Sequence, residues 1–284
     1  DFAGQPVTKL QLLNAAEPIE GTEVPGEGEF QNSKTAFFDQ DQSYGASLQI
    51  NSFLREKDAD GNFTARLLDS YWSATSDLRF FREYTVDAAA LPSFYDVIIN
   101  SAQHFGYESQ AELKQLVDGL LDNRSLYFSD QVVREWDRQV RGQELGKKVT
   151  GNPQVDLITL KIAGVEKTFS VIEELGNLQV HRAQFFAQLS AGSNNSTDFE
   201  QVFSMLVGDA SPLANYSALS ALGHKISGDA RTNENSQLIA ITEVFLRNHN
   251  HLVDLIEDQL AQIAAQYDSL ERVRDAGPGF EHLV

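Results

Sequence analysis

Two stretches of this chain gather side chains whose types and spacing could do chemistry. Gly228-Asp229-Ala230-Arg231-Thr232-Asn233-Glu234-Asn235 sets a guanidinium and a carboxylate three residues apart, just ahead of the apolar Leu238-Ile239-Ala240. A guanidinium held at a fixed point stabilises negative charge that develops as a bond to oxygen breaks. On a solvated helix face the same spacing makes only a weak ion pair. Thr35-Ala36-Phe37-Phe38-Asp39-Gln40-Asp41-Gln42-Ser43-Tyr44-Gly45 brings hydroxyl and carboxylate oxygens together in one loop. Hard oxygens are the donors that calcium takes.

The remaining chemical candidates are weaker. His249 and His251, in Arg247-Asn248-His249-Asn250-His251-Leu252-Val253, stand two residues apart and diverge on a helix, so they make a poor chelating pair. His249 shares a register with Phe245, Leu252 and Ile256, which predicts a packed, hydrogen-bonded histidine. Asp58-Ala59-Asp60-Gly61-Asn62 starts like an EF-hand, but its glycine comes two positions early and no glutamate occupies the twelfth position, so a plain turn is expected.

Composition narrows the class of partner. The formal charge of −19, from 41 acidic against 22 basic side chains, repels nucleic acid and anionic membrane surfaces and favours cations, calcium above all. An acidic surface kept for solubility in a salty or calcium-rich medium accounts for the bulk of it. With no cysteine, disulfides and thiolate metal sites are excluded. No run of about 18 apolar residues occurs, so no membrane-spanning helix is expected. The start at Asp1-Phe2 shows no basic and apolar leader, which suits a mature product or an excised domain. An acidic, cysteine-free chain matches the composition of large secreted or cell-surface bacterial proteins.

The elements that must position these residues read as mainly helical. Residues 1–34 hold Pro6, Pro18, Pro25 and a Gly-Glu-rich run and read as an extended arm. Residues 73–146 carry helical punctuation: Pro92 suits a first helical turn, Gly106 a C-terminal cap, and Ser109-Gln110-Ala111-Glu112 a capping box ahead of Leu113, Leu116, Val117, Leu120 and Leu121. Tyr71, Trp72, Phe80, Phe81, Tyr84, Phe94 and Tyr95 recur at roughly helical spacing and read as core. Leu157 to Ile162 and Val165 to Val171, joined by Ala163-Gly164, form either a hairpin or the start of a helix. In the last long helix Leu238, Ile241, Phe245, Leu252, Ile256, Leu260 and Ile263 repeat at three, four and seven, the pattern of an apolar helix face.

Taken in order, the stretches at Thr35–Gly45 and Gly228–Val253 resemble the calcium loop and the catalytic-arginine segment of the animal-type haem peroxidases, the peroxidase–cyclooxygenase superfamily. The lack of cysteine points to its bacterial branch. The resemblance implies a mainly helical fold with few short strands, and haem and calcium as cofactors. It implies that Arg231 polarises the peroxide on the distal side of the haem and that Glu234 lies near the haem edge. His224 matches a histidine often found there in bacterial relatives; it reads as structural, with an approach to the haem pocket as its other role. The calcium ligands implied are Thr35, through side chain and carbonyl, the Phe37 carbonyl, Asp39, and Asp41 where a serine is commoner. All four offer hard oxygen.

The chain also departs from that family. Where members usually read Arg-Glu-His-Asn-Arg-Leu, Asn248 replaces the acid and His251 the second arginine. The family's distal histidine precedes the calcium loop, yet residues 1–34 hold no histidine. The proximal histidine would lie beyond Val284, and His282 is not in its place. The resemblance covers patches from Thr35 to Leu68 and from Leu222 to Val284; between them, residues 73–220 match only in helical character. Two functions are therefore expected from the sequence. One is a calcium-binding haem peroxidase domain, single or an internal portion of one. It would use peroxide and a small reducing substrate if the full polypeptide supplies the missing histidines. The other is a haem-free binding or spacer module of a large secreted bacterial calcium-dependent adhesin, facing a cell-surface ligand or neighbouring domains.

Overall fold

The computed structural model of the chain describes residues 17–18, 30–31, 41–45, 47–84, 90–122, 124–141, 156–162, 164–194, 198–207, 217–229 and 236–275. They are mainly helical, and their strands form separate antiparallel pairs. Within the 1–34 arm, β1 (Glu17–Pro18) pairs with β2 (Phe30–Gln31), so its described residues are extended but partnered. Asp41–Tyr44 turns into a short helix, α1. Helix α2 (Leu48–Leu54) follows, with the Ser47 hydroxyl accepting from the Ile50 N–H at 3.2 Å as its N-cap.

The hairpin of β3 (Arg55–Lys57) and β4 (Phe63–Leu67) is closed by Asp58. Its carboxylate accepts the backbone N–H groups of Asp60 and Asn62, and Gly61 takes φ 84°. The expected plain turn is what forms.

Helices α3 (Tyr71–Thr75) and α4 (Arg79–Tyr84) lead to α5 (Phe94–Asn100), every residue of which is buried. Ser93, not Pro92, caps α5. The Ser93 hydroxyl accepts from the Asp96 N–H, and the Asp96 carboxylate accepts from the Ser93 N–H at 2.7 Å, so Pro92 stands one residue outside the cap. The same buried carboxylate accepts from the Ser73 N–H and hydroxyl, which ties α3 to α5. Gly106, at φ 79°, ends the turn after α5. Helix α6 (Gln110–Leu121) starts at Ser109 as expected, although the Glu112 carboxylate reaches back to the Glu108 N–H instead of that of Ser109.

After α7 (Arg124–Arg141) the ambiguity at 157–171 resolves. β5 (Leu157–Ile162) and β6 (Val165–Ser170) pair in unbroken register around Gly164, and the Ser170 hydroxyl then caps α8 (Val171–Gly192). Helices α9 (Phe199–Val207), α10 (Ala218–Leu222) and α11 (Ser236–Asp275) complete the described chain. No helix among the described residues is long and apolar enough to cross a membrane. The main core gathers around α5. Phe94 packs edge-on against Phe203 and Phe81 against Tyr95, while Phe105 stacks on Phe199 at 4.0 Å. Phe80, Phe81, Phe94 and Tyr95 are thus core as the periodicity predicts, whereas Tyr71 is exposed.

Helix α11 packs unlike its sequence pattern. It buries Thr242, Leu246, Asn250 and Val253, while Ile241, Phe245, Leu252, Ile256, Leu260 and Ile263 stay exposed. Asn250, which satisfies the backbone of β4, lies on the inward side with Leu246 and Val253, and the longer apolar stripe is turned aside from the core.

Candidate functional site

Of the residues implied by the resemblance, Thr35, Phe37, Asp39, Arg231 and Glu234 lie outside the described residues, as does His282. Asp41 is the first residue of α1, and His224 is placed. What the described chain fixes is the junction where the end of the 35–45 loop meets α11, and the residues 224–229 that lead towards Arg231.

Tyr44, at the end of α1, holds that junction. Its hydroxyl lies 2.9 Å from Nδ1 of His249 on α11, and the rings meet edge to face with centroids 5.5 Å apart. Nε2 of His249 lies 3.0 Å from the Ala65 carbonyl of β4. A carbonyl only accepts, so Nε2 carries a hydrogen, and in the neutral ring Nδ1 accepts from the Tyr44 hydroxyl. The Tyr44 carbonyl is held in turn by Nδ2 of Asn51 at 2.8 Å. Gly45 follows with φ 84°, and a Cβ there would come within 2.5 Å of the Ile50 side chain, so glycine is required.

One residue on, Asn250 is buried and faces Leu67. Its Oδ1 accepts from the Leu67 N–H at 2.9 Å and its Nδ2 donates to the Leu67 carbonyl at 3.0 Å. Arg66 adds ion pairs to Asp254 and Glu56. Helix α11 thus occupies the open edge of β4, supplying from side chains the hydrogen bonds that another strand would supply. Sequence reasoning expected a hydrogen-bonded His249 and missed Asn250, Tyr44 and Arg66. The signal for Asn250 was a polar residue in register with Leu246 and Val253.

Residues 224–226 lie against 91–94 in strand-like pairing. The His224 carbonyl accepts from the Phe94 N–H at 2.9 Å, the Ile226 N–H donates to the Pro92 carbonyl at 2.8 Å, and Ser93 bridges Lys225. Buried Lys225 donates from Nζ to the Leu91 carbonyl at 3.0 Å. Burial lowers the His224 pKa to about 4, so its ring is neutral at physiological pH, and its buried Nε2 has no hydrogen-bond partner.

No family model, curated protein or solved structure matches this chain.

The fold and the residues themselves therefore carry the functional argument. At the junction a cavity of about 10 Å³ is lined by Ser43, Leu67, Pro92, Ile226, Thr242 and Leu246 among others. It has room for one water, not for a porphyrin, and His224 is not in its lining. His224 offers the unshared nitrogen that an iron ligand needs, on a stretch held against 91–94 by backbone hydrogen bonds. No group of three or more acidic or histidine side chains among the described residues converges as a metal site. Of the implied calcium ligands only Asp41 falls within them, so the donor chemistry of the 35–45 loop alone supports calcium there. A larger groove of about 440 Å³ lies elsewhere, between α7 and β5. Two of its cations are already matched, Arg134 with buried Asp130 and Arg138 with Glu135.

Proposed function

We propose that this chain is a calcium-stiffened domain of the animal haem peroxidase kind, with peroxide-dependent oxidation as its activity where the full polypeptide supplies the haem histidines. The observation that carries this reading is the bond from Tyr44 to His249. The two stretches that resemble the family are far apart in sequence, and this bond joins the end of the first to the helix in which the second ends. Calcium on Thr35, Phe37, Asp39 and Asp41 would stiffen the chain leading into that contact. Arg231 would stand ahead of α11, where a fixed guanidinium stabilises the charge of a breaking O–O bond.

A second reading is a haem-free binding or spacer module of a secreted bacterial adhesin. The formal charge of −19 and the lack of cysteine favour it, and the cavity lined by Ser43, Thr242 and Leu246 is of a size for water. One experiment separates the two. Hemin is added to the protein with and without calcium, and the Soret band is followed on adding cyanide or peroxide. A sharp, saturable, calcium-dependent band that is lost in Arg231→Ala supports the peroxidase reading. The broad spectrum of free hemin, together with a calcium-dependent rise in melting temperature, supports the haem-free module. If calcium leaves the melting temperature unchanged, both readings fail.

A further inference from the structure

We propose that the exposed apolar side of α11 is the contact surface for a second copy of this chain, the two helices pairing antiparallel. Helix α11 has 40 residues, a length of about 60 Å. Its inward side is buried at Thr242, Leu246, Asn250 and Val253, and every residue from 254 to 266 is exposed. Ile241, Val244, Phe245, Leu252, Leu255, Ile256, Leu260 and Ile263 are each between 41% and 64% exposed. Eight large apolar side chains left this open on one helix exceed the few hundred Å² that a monomer usually exposes, and they approach the size of one side of a standard interface. A helical stretch whose residues 254–266 are all exposed gains little from packing within the chain and would be marginal in water, so its apolar face calls for a partner.

The spacing says what shape covers it. Phe245, Leu252, Ile256, Leu260 and Ile263 fall within about a quarter turn of one another at 3.6 residues per turn, a straight seam suited to a second helix. The chemistry around the seam says that the second helix is another copy. Arg247, Asp254 and Asp258 project from the opposite side of α11, and the margin of the seam that faces away from the body carries the uncharged Ile241, Val244, Asn248, Leu255, Gln259 and Gln262. An amide donates and accepts, so this margin is complementary to itself, whereas recognition of a foreign helix usually runs through charged margins. The seam is also nearly symmetric about its own middle. In an antiparallel pair Ile256 of one copy opposes Leu260 of the other, and Leu252 opposes Ile263, as a two-fold contact requires. Antiparallel pairing further sets each acidic body beside the projecting half of the other helix, not beside the other body. With a formal charge of −19 per copy, association should strengthen as salt screens that repulsion.

Light scattering of the whole chain during size-exclusion chromatography, across protein and salt concentrations, tests this. The expected result is a concentration-dependent rise from 31.5 kDa to twice that mass, favoured by salt. The double variant Ile256→Glu/Leu260→Glu should remain monomeric, with the melting temperature of the wild type when both are dilute enough to be monomers. Asp258→Lys, on the far side of the helix, should still dimerise. A wild type that is monomeric under all conditions, or a double variant that still pairs, overturns the proposal. A double variant that melts early while monomeric also overturns it, since the face would then be packed within one chain.

Discussion

Asn250 pairs with both backbone groups of Leu67, its amide closing the edge of β4 from the side of α11. Removing that amide strands a buried N–H and a buried carbonyl at once. Each unpaired group costs about 1–3 kcal/mol, so Asn250→Ala should lower stability by about 2–6 kcal/mol, read from the urea midpoint at unchanged slope. Asn250→Asp should be at least as harmful, because it keeps the acceptor but aims a second carboxylate oxygen at the Leu67 carbonyl. A loss below about 1 kcal/mol would show that water satisfies this edge.

Calcium should raise the melting temperature through the 35–45 loop. At a hundredfold excess over Kd the gain is about 2.7 kcal/mol, and Asp39→Asn or Asp41→Asn should remove most of it. Tyr44→Phe should bind calcium normally by calorimetry while losing about 0.5–1.5 kcal/mol of stability, because the bond to His249 lies beyond the ligand set.

His224 gives a pH dependence of definite sign. Burial depresses its pKa from 6.5 to about 4, so the unfolded chain binds this proton more readily than the folded one. Its contribution is present in full above pH 6.5 and is lost as pH falls towards 4, by an amount on the order of 3 kcal/mol. Burial pushes the Asp96 carboxyl up, partly opposed by its hydrogen bonds from Ser93 and Ser73, and so it works in the opposite direction. The difference between wild type and His224→Leu isolates the histidine. That difference should widen in acid, and NMR titration of the ring should find it neutral down to about pH 4.

Ser43 lines the small cavity with a buried hydroxyl that has no partner. Ser43→Val replaces that hydroxyl with methyl groups that fill the space among Leu67, Pro92 and Leu246, so it should stabilise by about 1 kcal/mol in thermal melts. Destabilisation instead would mean that a bound water already serves the hydroxyl and is lost with it.

Local chemistry was readable from the sequence wherever neighbours in the chain settle it. Asp58 with Gly61 made the turn, Ser109 opened α6, and the apolar repeat marked a long final helix. Each rests on hydrogen bonds or backbone preferences within a few residues. Sequence placed Pro92 inside α5, where the reciprocal bonds of Ser93 and Asp96 moved the start by two residues. It could not choose between hairpin and helix at 157–171, because a short apolar run fits both until a partner strand exists. For the site, sequence supplied Arg231, Glu234 and the calcium-loop oxygens by resemblance, and those residues remain a proposal. The joining of the two stretches through Tyr44 and His249, the closing of β4 by Asn250, and the burial of the Thr242–Val253 side of α11 in place of its apolar stripe were decided by tertiary structure alone. Periodicity shows that a helix has an apolar face, but what that face meets depends on backbone groups far away in sequence, and here the unpaired edge of β4 took the side that carries Asn250.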